Sequence, residues 1–373
     1  MLYLDYAATS LIKPQSVSRE MLRAMSTAAS PGRGGHAPAM RAADIVFSCR
    51  EAAAELFNVP DPEQVVFTFN ATHALNIAIR SLVKKGDTAL VSGFEHNSVT
   101  RPLTQIGCNI IAAASPLFDK AAALAAFREN IAKADVVICT HVSNVFGFIL
   151  PVYEIGELCR EYKVPFIVDA SQSAGVLDVD FQRLGADFVA MPGHKALFGP
   201  QGTGLLMCKT AGEVLMSGGS GSDSVRQLMP EFLPDRHEAG THNVPGIAGL
   251  LAGIDYVKSC GVENIRKHEQ KLIDEIIRQL DDVEDIELFY GGEESQSGVL
   301  SFRSGRVGCE ELCGMLSEEG ICLRAGMHCA PCAHRSAGTL DTGTLRLSVS
   351  PFVTLENAGY FCRILQNLLN SSA

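Results

Sequence analysis

Short apolar, β-branched runs recur through the first 210 residues, with polar and helix-forming stretches between them. The runs are Val65 to Phe69, Thr88 to Val91, Asn109 to Ala113, Asp135 to Thr140, Pro165 to Asp169, Asp187 to Met191 and Gly204 to Cys208. Continuous apolar runs of this length suit strands buried on both faces, and their alternation with helices predicts a mostly parallel, seven-stranded sheet covered on both sides. Strands of such a sheet end at a common rim, where ligands bind. Asn70, Asn144, Asp169 and His194 each follow a predicted strand, so polar residues gather there.

After Gly240-Thr241-His242-Asn243-Val244-Pro245 the period lengthens. Apolar positions three and four apart predict helices over roughly Ile247 to Ser259 and Val262 to Leu280. Beyond them, Val299 to Phe302 and Thr344 to Ser348 read as strands flanking a helix from about Gly308 to Glu319. The fold class is therefore α/β with a smaller α+β unit. We expect a large domain over residues 15–250 and a small domain formed by residues 1–14 and 251–373. A length of 373 residues fits that division.

A net charge of −11 argues against nucleic acid as a partner, because phosphate neutralisation needs a basic face. No apolar run reaches membrane-spanning length, and Met1-Leu2-Tyr3-Leu4-Asp5 does not begin like a secretion signal. The expectation is a cytoplasmic protein that engages no membrane. The twelve cysteines are scattered, and Cys139, Cys159 and Cys208 fall in predicted core segments, which favours reduced thiols over a disulfide framework.

Two residues carry most of the candidate chemistry. Lys195, in Gly193-His194-Lys195, and Asp169, in Val168-Asp169-Ala170-Ser171-Gln172, both follow strands of one rim. Pyridoxal phosphate needs an amine to hold its aldehyde as a Schiff base and an anion to keep its ring nitrogen protonated. This pair supplies both, although Asp169 alone also reads as a helix cap. Gln172 could donate to the ring oxygen. In Asn70-Ala71-Thr72-His73, free N–H groups at Ala71 and Thr72 and the Thr72 hydroxyl could cradle a phosphate, or simply cap a helix. His96 could stack on the cofactor ring and carry protons, against the ordinary alternative of a structural histidine.

The loop Arg324-Ala325-Gly326-Met327-His328-Cys329-Ala330-Pro331-Cys332-Ala333-His334 places a cysteine beside Arg324 and His328, where positive charge favours the thiolate. Cys329 is thus a candidate nucleophile, and Arg346 a candidate partner for a substrate carboxylate. The same loop has ligand-like spacing at Cys329, Cys332 and His334, with Cys309 and Cys313 as further zinc ligands, a reading we weigh but do not adopt.

Taken together, these segments resemble the class V aminotransferase superfamily, and within it the cysteine desulfurase and selenocysteine lyase group. The resemblance runs nearly end to end: Tyr3-Leu4-Asp5-Tyr6-Ala7-Ala8-Thr9-Ser10, the His96 loop, Asn144, Asp169 with Gln172, Gly193-His194-Lys195, Glu238-Ala239-Gly240-Thr241, and Arg324 through Cys329. The cysteine loop looks like that of the Suf-type branch. The resemblance implies the fold type I architecture of pyridoxal phosphate enzymes, with Lys195 as the covalent attachment point and Asp169 on the ring nitrogen. It further implies Gln172 on the ring oxygen, His96 stacked on the ring, and Asn144 on the cofactor side of the substrate, with Arg324 and Arg346 also binding substrate. His194 and Thr72 would lie by the phosphate and Thr241 by the phosphate of a neighbouring subunit, in a homodimer.

The implied reaction converts L-cysteine to L-alanine, leaves a persulfide on Cys329 and passes sulfur to an acceptor protein or thiol. Selenocysteine lyase and another class V transaminase or lyase are the enzymatic alternatives. A thiol- or zinc-based regulatory protein on a degenerate scaffold is the non-enzymatic one. Pro192 stands where Suf-type relatives carry a hydroxyl residue, His73 where an acid is common, Asn70 at a usual glycine, and Met327 at a position often held by histidine. Cys332 is unexpected.

Overall fold

The computed structural model describes residues 1–32 and 34–371. All seven predicted runs form strands of one sheet. Across the sheet the order is Val65–Thr68, Gly204–Cys208, Phe188–Pro192, Phe166–Asp169, Val136–Thr140, Thr88–Ser92 and Asn109–Ala113. Only Gly204–Cys208 runs antiparallel to its neighbours. Successive residues of a strand feed two different cores: Val137, Cys139, Val168 and Val189 pack on one face, and Val136, Ile138, Ile167 and Phe188 on the other. Burial on both faces explains why these runs are continuously apolar rather than alternating.

A second apolar cluster lies on a four-stranded antiparallel sheet in the order Arg324–Gly326, Thr344–Ser348, Val299–Ser304, Ile286–Phe289. Leu272, Ile276, Leu300, Phe302, Leu345, Leu347 and Phe361 build it, and Leu4 and Tyr6 join from the other end of the sequence. Leu2–Tyr3 adds a parallel pairing with Ile321–Cys322, and Asp5 bridges to Ser348. The two long helices run over Val244–Cys260 and Val262–Leu280. The strands Ile286–Phe289 and Arg324–Gly326 and the helices Pro331–Ala337 and Leu355–Ser371 were not expected. The two strands hold four and three residues, too few to show a period.

Candidate active site

The rim of the large sheet opens into a cleft of about 220 Å³, lined by Ala71, Thr72, His96, Asn144, Asp169, Gln172, His194 and Lys195 together with Ala8, Ser98, Thr140 and Pro192. Sequence reasoning had assigned the first eight to the cofactor site, from strand ends, a helix start and the family resemblance together. Asp169 closes the strand Phe166–Asp169, is buried, and accepts a hydrogen bond from the Ser171 N–H at 2.9 Å. Lys195 follows the adjacent strand Phe188–Pro192. Its loop is held by Gly175 (φ +93°), where a Cβ atom would sit 2.5 Å from the Ala196 carbonyl oxygen. A side chain at Gly175 would therefore push the lysine loop away, besides being strained in that backbone conformation.

Burial pushes the Lys195 ammonium down to about 8; the Asp169 carboxylate opposes that shift, and the charge of Arg346 adds to it. Among the charges of this cleft, then, an amine and a carboxylate face each other electrostatically, with the amine partly unprotonated near neutrality.

At the other end of the cleft the helix Ala71–Leu82 begins. Asn70 caps it by accepting from the His73 N–H at 2.9 Å. Among the described residues, the Ala71 and Thr72 N–H groups have no protein partner, so the helix start offers two free donors toward the cleft. The Thr72 hydroxyl lies 2.8 Å from the Ser98 hydroxyl, which lies 2.9 Å from His96 Nδ1. Ser98 is a site residue that sequence reasoning missed; its only signal was its place two residues after His96. It supplies a hydroxyl to a cleft whose Pro192 supplies none. The donor set, which brings free N–H groups, hydroxyls, a carboxylate and an amine to one cleft, fits pyridoxal phosphate.

His96 caps the helix Asn97–Ile106, its Nδ1 accepting from the Ser98 N–H at 3.0 Å. That bond leaves the ring proton on Nε2. Burial lowers the His96 pKa, with the charge of Asp169 opposing and that of Lys195 adding to the effect. His194 is pushed down to about 4 by burial and by Lys195, and its Nδ1 lies 3.0 Å from the Thr9 hydroxyl. Both imidazoles are neutral at pH 7. Gln172 donates to the Ala7 carbonyl oxygen at 2.9 Å, a contact with the N-terminal segment that no local pattern announces.

The other predicted residues stand outside the lining of this cleft. Thr241 lies with Phe67, Phe69, His73 and His242 along a separate, smaller cleft. Its loop is fastened by Glu238, which accepts from Arg50 and from the Phe67 N–H and meets His242 Nε2 at 2.6 Å. Arg346 is buried and donates to Asp5 Oδ1 at 2.7 Å and to the Asn144 carbonyl oxygen at 2.9 Å. Arg324 pairs with the other Asp5 oxygen at 3.1 Å. Asp5, which sequence reasoning did not assign, thus engages both arginines expected to hold a substrate carboxylate. Arg346 Nε is buried without a hydrogen-bond partner among the described residues.

Cys329 is exposed. Both His328 (φ +47°) and Cys329 (φ +58°) occupy the left-handed region, which is rare for residues with side chains and is sustained only where surrounding contacts impose it. The contacts are specific: the Cys329 carbonyl oxygen accepts from the Asn97 N–H at 2.8 Å, and the His328 carbonyl oxygen accepts from Asn144 Nδ2 at 2.8 Å. The thiol loop is therefore tied to the His96 helix and to the Asn144 turn of the cleft. The expectation of a cationic His328 is corrected, because burial and the charge of Arg346 push it down to about 3. Among the described residues no three His, Cys, Asp or Glu side chains converge on a metal position, and His334 Nδ1 is engaged by the Thr339 hydroxyl at 2.8 Å.

Comparison with known proteins agrees with this geometry. The family model described as Aminotransferase class-V matches residues 2–361. The chain is 35% identical over 367 residues to a probable cysteine desulfurase of Methanothermobacter thermautotrophicus, covering 95% of this chain and 91% of that one. It is 31% identical over 343 residues to a cysteine desulfurase of Escherichia coli, covering 88% and 84%. Among solved structures, the apo cysteine desulfurase of Thermococcus onnurineus superposes with a TM-score of 0.91 at 29% identity, covering 99% of this chain and 95% of that one. A rim that offers Lys195 and Asp169 to one cofactor, on a sheet of this topology and with a family match across nearly the whole chain, places the protein in the class V aminotransferase family.

Proposed function

We propose that this chain is a pyridoxal phosphate-dependent cysteine desulfurase that converts L-cysteine to L-alanine and collects the sulfur as a persulfide on Cys329. The observation that carries the assignment is the bond from the Asn97 N–H to the Cys329 carbonyl oxygen, which ties an exposed thiol to the helix that His96 caps at the cofactor cleft. A transaminase has no use for a thiol held there.

Lys195 would anchor pyridoxal phosphate, Asp169 would partner its ring nitrogen, and Ala71, Thr72, Ser98 and His194 would hold its phosphate. Bound pyridoxal phosphate supplies a protonated ring, conjugated with the substrate α-carbon, that takes up the electron pair left by proton loss. The Lys195 amine would remove the α proton, a task suited to a side chain whose conjugate acid burial brings down to about 8. The neutral His96, with its proton on Nε2, holds the cofactor face and relays protons. Arg324, the free Nε of Arg346 and the Asn144 side chain orient the substrate. Cys329 Sγ then attacks the substrate sulfur; the bond between that sulfur and the β-carbon breaks, and protonation of the remaining three-carbon skeleton gives alanine. Sulfur leaves to an acceptor protein or thiol.

We place the enzyme in the cytoplasm as a homodimer. All twelve cysteines are free, as a reducing compartment requires. No described helix is long and apolar enough to cross a membrane. Exposed Leu22, Met25, Met40 and Phe47 on the first two helices, and Phe69 beside the Thr241 cleft, support pairing of two copies.

The test uses L-cysteine. With Cys329→Ala, the cofactor absorbance should still change on adding L-cysteine while alanine falls by about 10²-fold or more. Full turnover by that variant would refute the nucleophile, and turnover on selenocysteine alone would redirect the assignment to a lyase for selenium.

A further inference from the structure

Cys332 is the thiol that the reaction above leaves unused. It stands three residues after Cys329 in Cys329-Ala330-Pro331-Cys332, at the second position of the helix Pro331–Ala337. The Ala330 N–H donates to the Met327 carbonyl oxygen at 2.9 Å and the Ala333 N–H to the Ala330 carbonyl oxygen at 3.0 Å, so Cys329 lies in one tight turn and Cys332 in the next. A two-residue spacing across such a turn is the one that dithiol–disulfide couples use.

Mobility decides what the pair is for. Cys329 is pinned through its own carbonyl to Asn97 and through the preceding carbonyl to Asn144. A thiol fixed in this way cannot carry sulfur far from the cleft. The sulfur must leave where it forms, to an acceptor that docks there or to a thiol already in place. Cys332 is half-buried, whereas Cys329 is exposed, so the pair joins an outer sulfur to an inner one. Burial raises the Cys332 pKa, and the neighbouring Arg335 opposes that shift by favouring its thiolate.

We infer that Cys332 is a resolving thiol that converts the Cys329 persulfide into a Cys329–Cys332 disulfide with release of hydrosulfide. This rests on the proposed desulfurase reading. The Cys332 sulfur attacks Cys329 Sγ, and the bond from Cys329 Sγ to the terminal sulfur breaks. The terminal sulfur leaves with the electron pair as hydrosulfide, and the Cys332 proton goes to solvent or to the departing sulfide. The terminal sulfur is reduced and the two cysteines become the oxidised disulfide, with no external oxidant. A reducing dithiol must then reopen the pair before the next turnover. Sulfur output is thereby coupled to the supply of dithiol reductant rather than to an acceptor protein alone.

The experiment is a first turnover of reduced, cofactor-loaded protein with one equivalent of L-cysteine and no added thiol, quenched with an alkylating agent. Cleavage after Arg324 and Arg335 yields one peptide carrying both cysteines. In the unmodified protein we expect that peptide to lose two hydrogens, resist alkylation, and appear together with sulfide equal to the alanine formed. In Cys332→Ser, and equally in Cys332→Ala, the extra sulfur should stay on Cys329 and sulfide release should slow by about tenfold or more. Alanine in that first turnover reports that each variant is folded and competent. Alanine formed with the extra sulfur retained on Cys329 and Cys332 alkylated would overturn the inference while leaving the desulfurase reading standing. Absence of alanine from the unmodified protein would fail the desulfurase reading itself.

Discussion

The cofactor cleft and the thiol loop lie against each other yet are built on opposite principles. In the cleft, each key residue ends a strand or begins a helix: Asp169 after Phe166–Asp169, Lys195 after Phe188–Pro192, Thr72 in the first turn of Ala71–Leu82. Their positions follow from regular hydrogen-bonded elements buried on both faces. In the thiol loop, two successive residues sit in the left-handed region, and His328 Nδ1 and His334 Nε2 are buried without partners. Contacts from the cleft, at Asn97 and Asn144, join the loop's own turns and the Thr344 carbonyl oxygen in holding it in shape. The difference teaches that the cofactor machinery is intrinsic to the sheet, whereas thiol placement is borrowed from it.

The most severe way to challenge this comparison is Lys195→Ala. Turnover should fall by at least about 10³-fold because anchor and base go together, while the neighbouring strands keep their pairing and far-ultraviolet circular dichroism is unchanged. Retained activity would remove the cleft's central residue from the chemistry.

Asn144→Ala sharpens the comparison from the other side. It removes the donor to the His328 carbonyl oxygen, a bond worth about 1 kcal/mol, together with the amide proposed to orient the substrate, and frees the loop while leaving Lys195 and Asp169 in place. Persulfide formation should slow by roughly tenfold with cofactor affinity changed far less; equal losses in both would mean that loop and cleft are one unit. Ser98→Ala should do the reverse and more mildly, weakening cofactor binding by about fivefold through the lost hydroxyl while persulfide formation at saturating cofactor stays within twofold.

A further check concerns pH in cofactor-free protein. Because the folded-state pKa of Lys195 lies near 8, below the ordinary 10.5, the unfolded chain binds more protons between those values and stability rises across that window. Lys195→Met should therefore stabilise the cofactor-free protein at pH 7 by about 3 kcal/mol, and the advantage should shrink as pH climbs from 8 toward 10. Parallel unfolding curves at all pH values would contradict a buried amine.

Much of the cleft was legible in the sequence because its residues follow strands whose apolar runs are unmistakable. Asp169, His194 and Lys195 needed only that rule. What could not be read depends on distant partners. Nothing near Gln172 announces its bond to Ala7, and nothing near Arg346 announces that Asp5 engages it together with Arg324. The neutral state of His328 is likewise a product of burial by segments remote in sequence, so a histidine that reads as a cation beside Cys329 folds into an uncharged one. Ser98 lay inside a motif already noted, but only the meeting of two helix starts gives its hydroxyl a role.

The contact between Asp5 and Arg346 spans 341 positions, and the Ala7 N–H donates to the Ser348 hydroxyl across the same separation. During synthesis the ribosome delivers the first partner of each bond long before the second. The large sheet can assemble while translation continues and offers Gln172 to the Ala7 carbonyl oxygen, but the segment carrying Ala7 and Ala8 has to wait for the late strand before its bonds to Arg346 and Ser348 complete the mouth of the cleft. Cofactor acquired during elongation would face an unfinished wall, so stable loading belongs to the released chain.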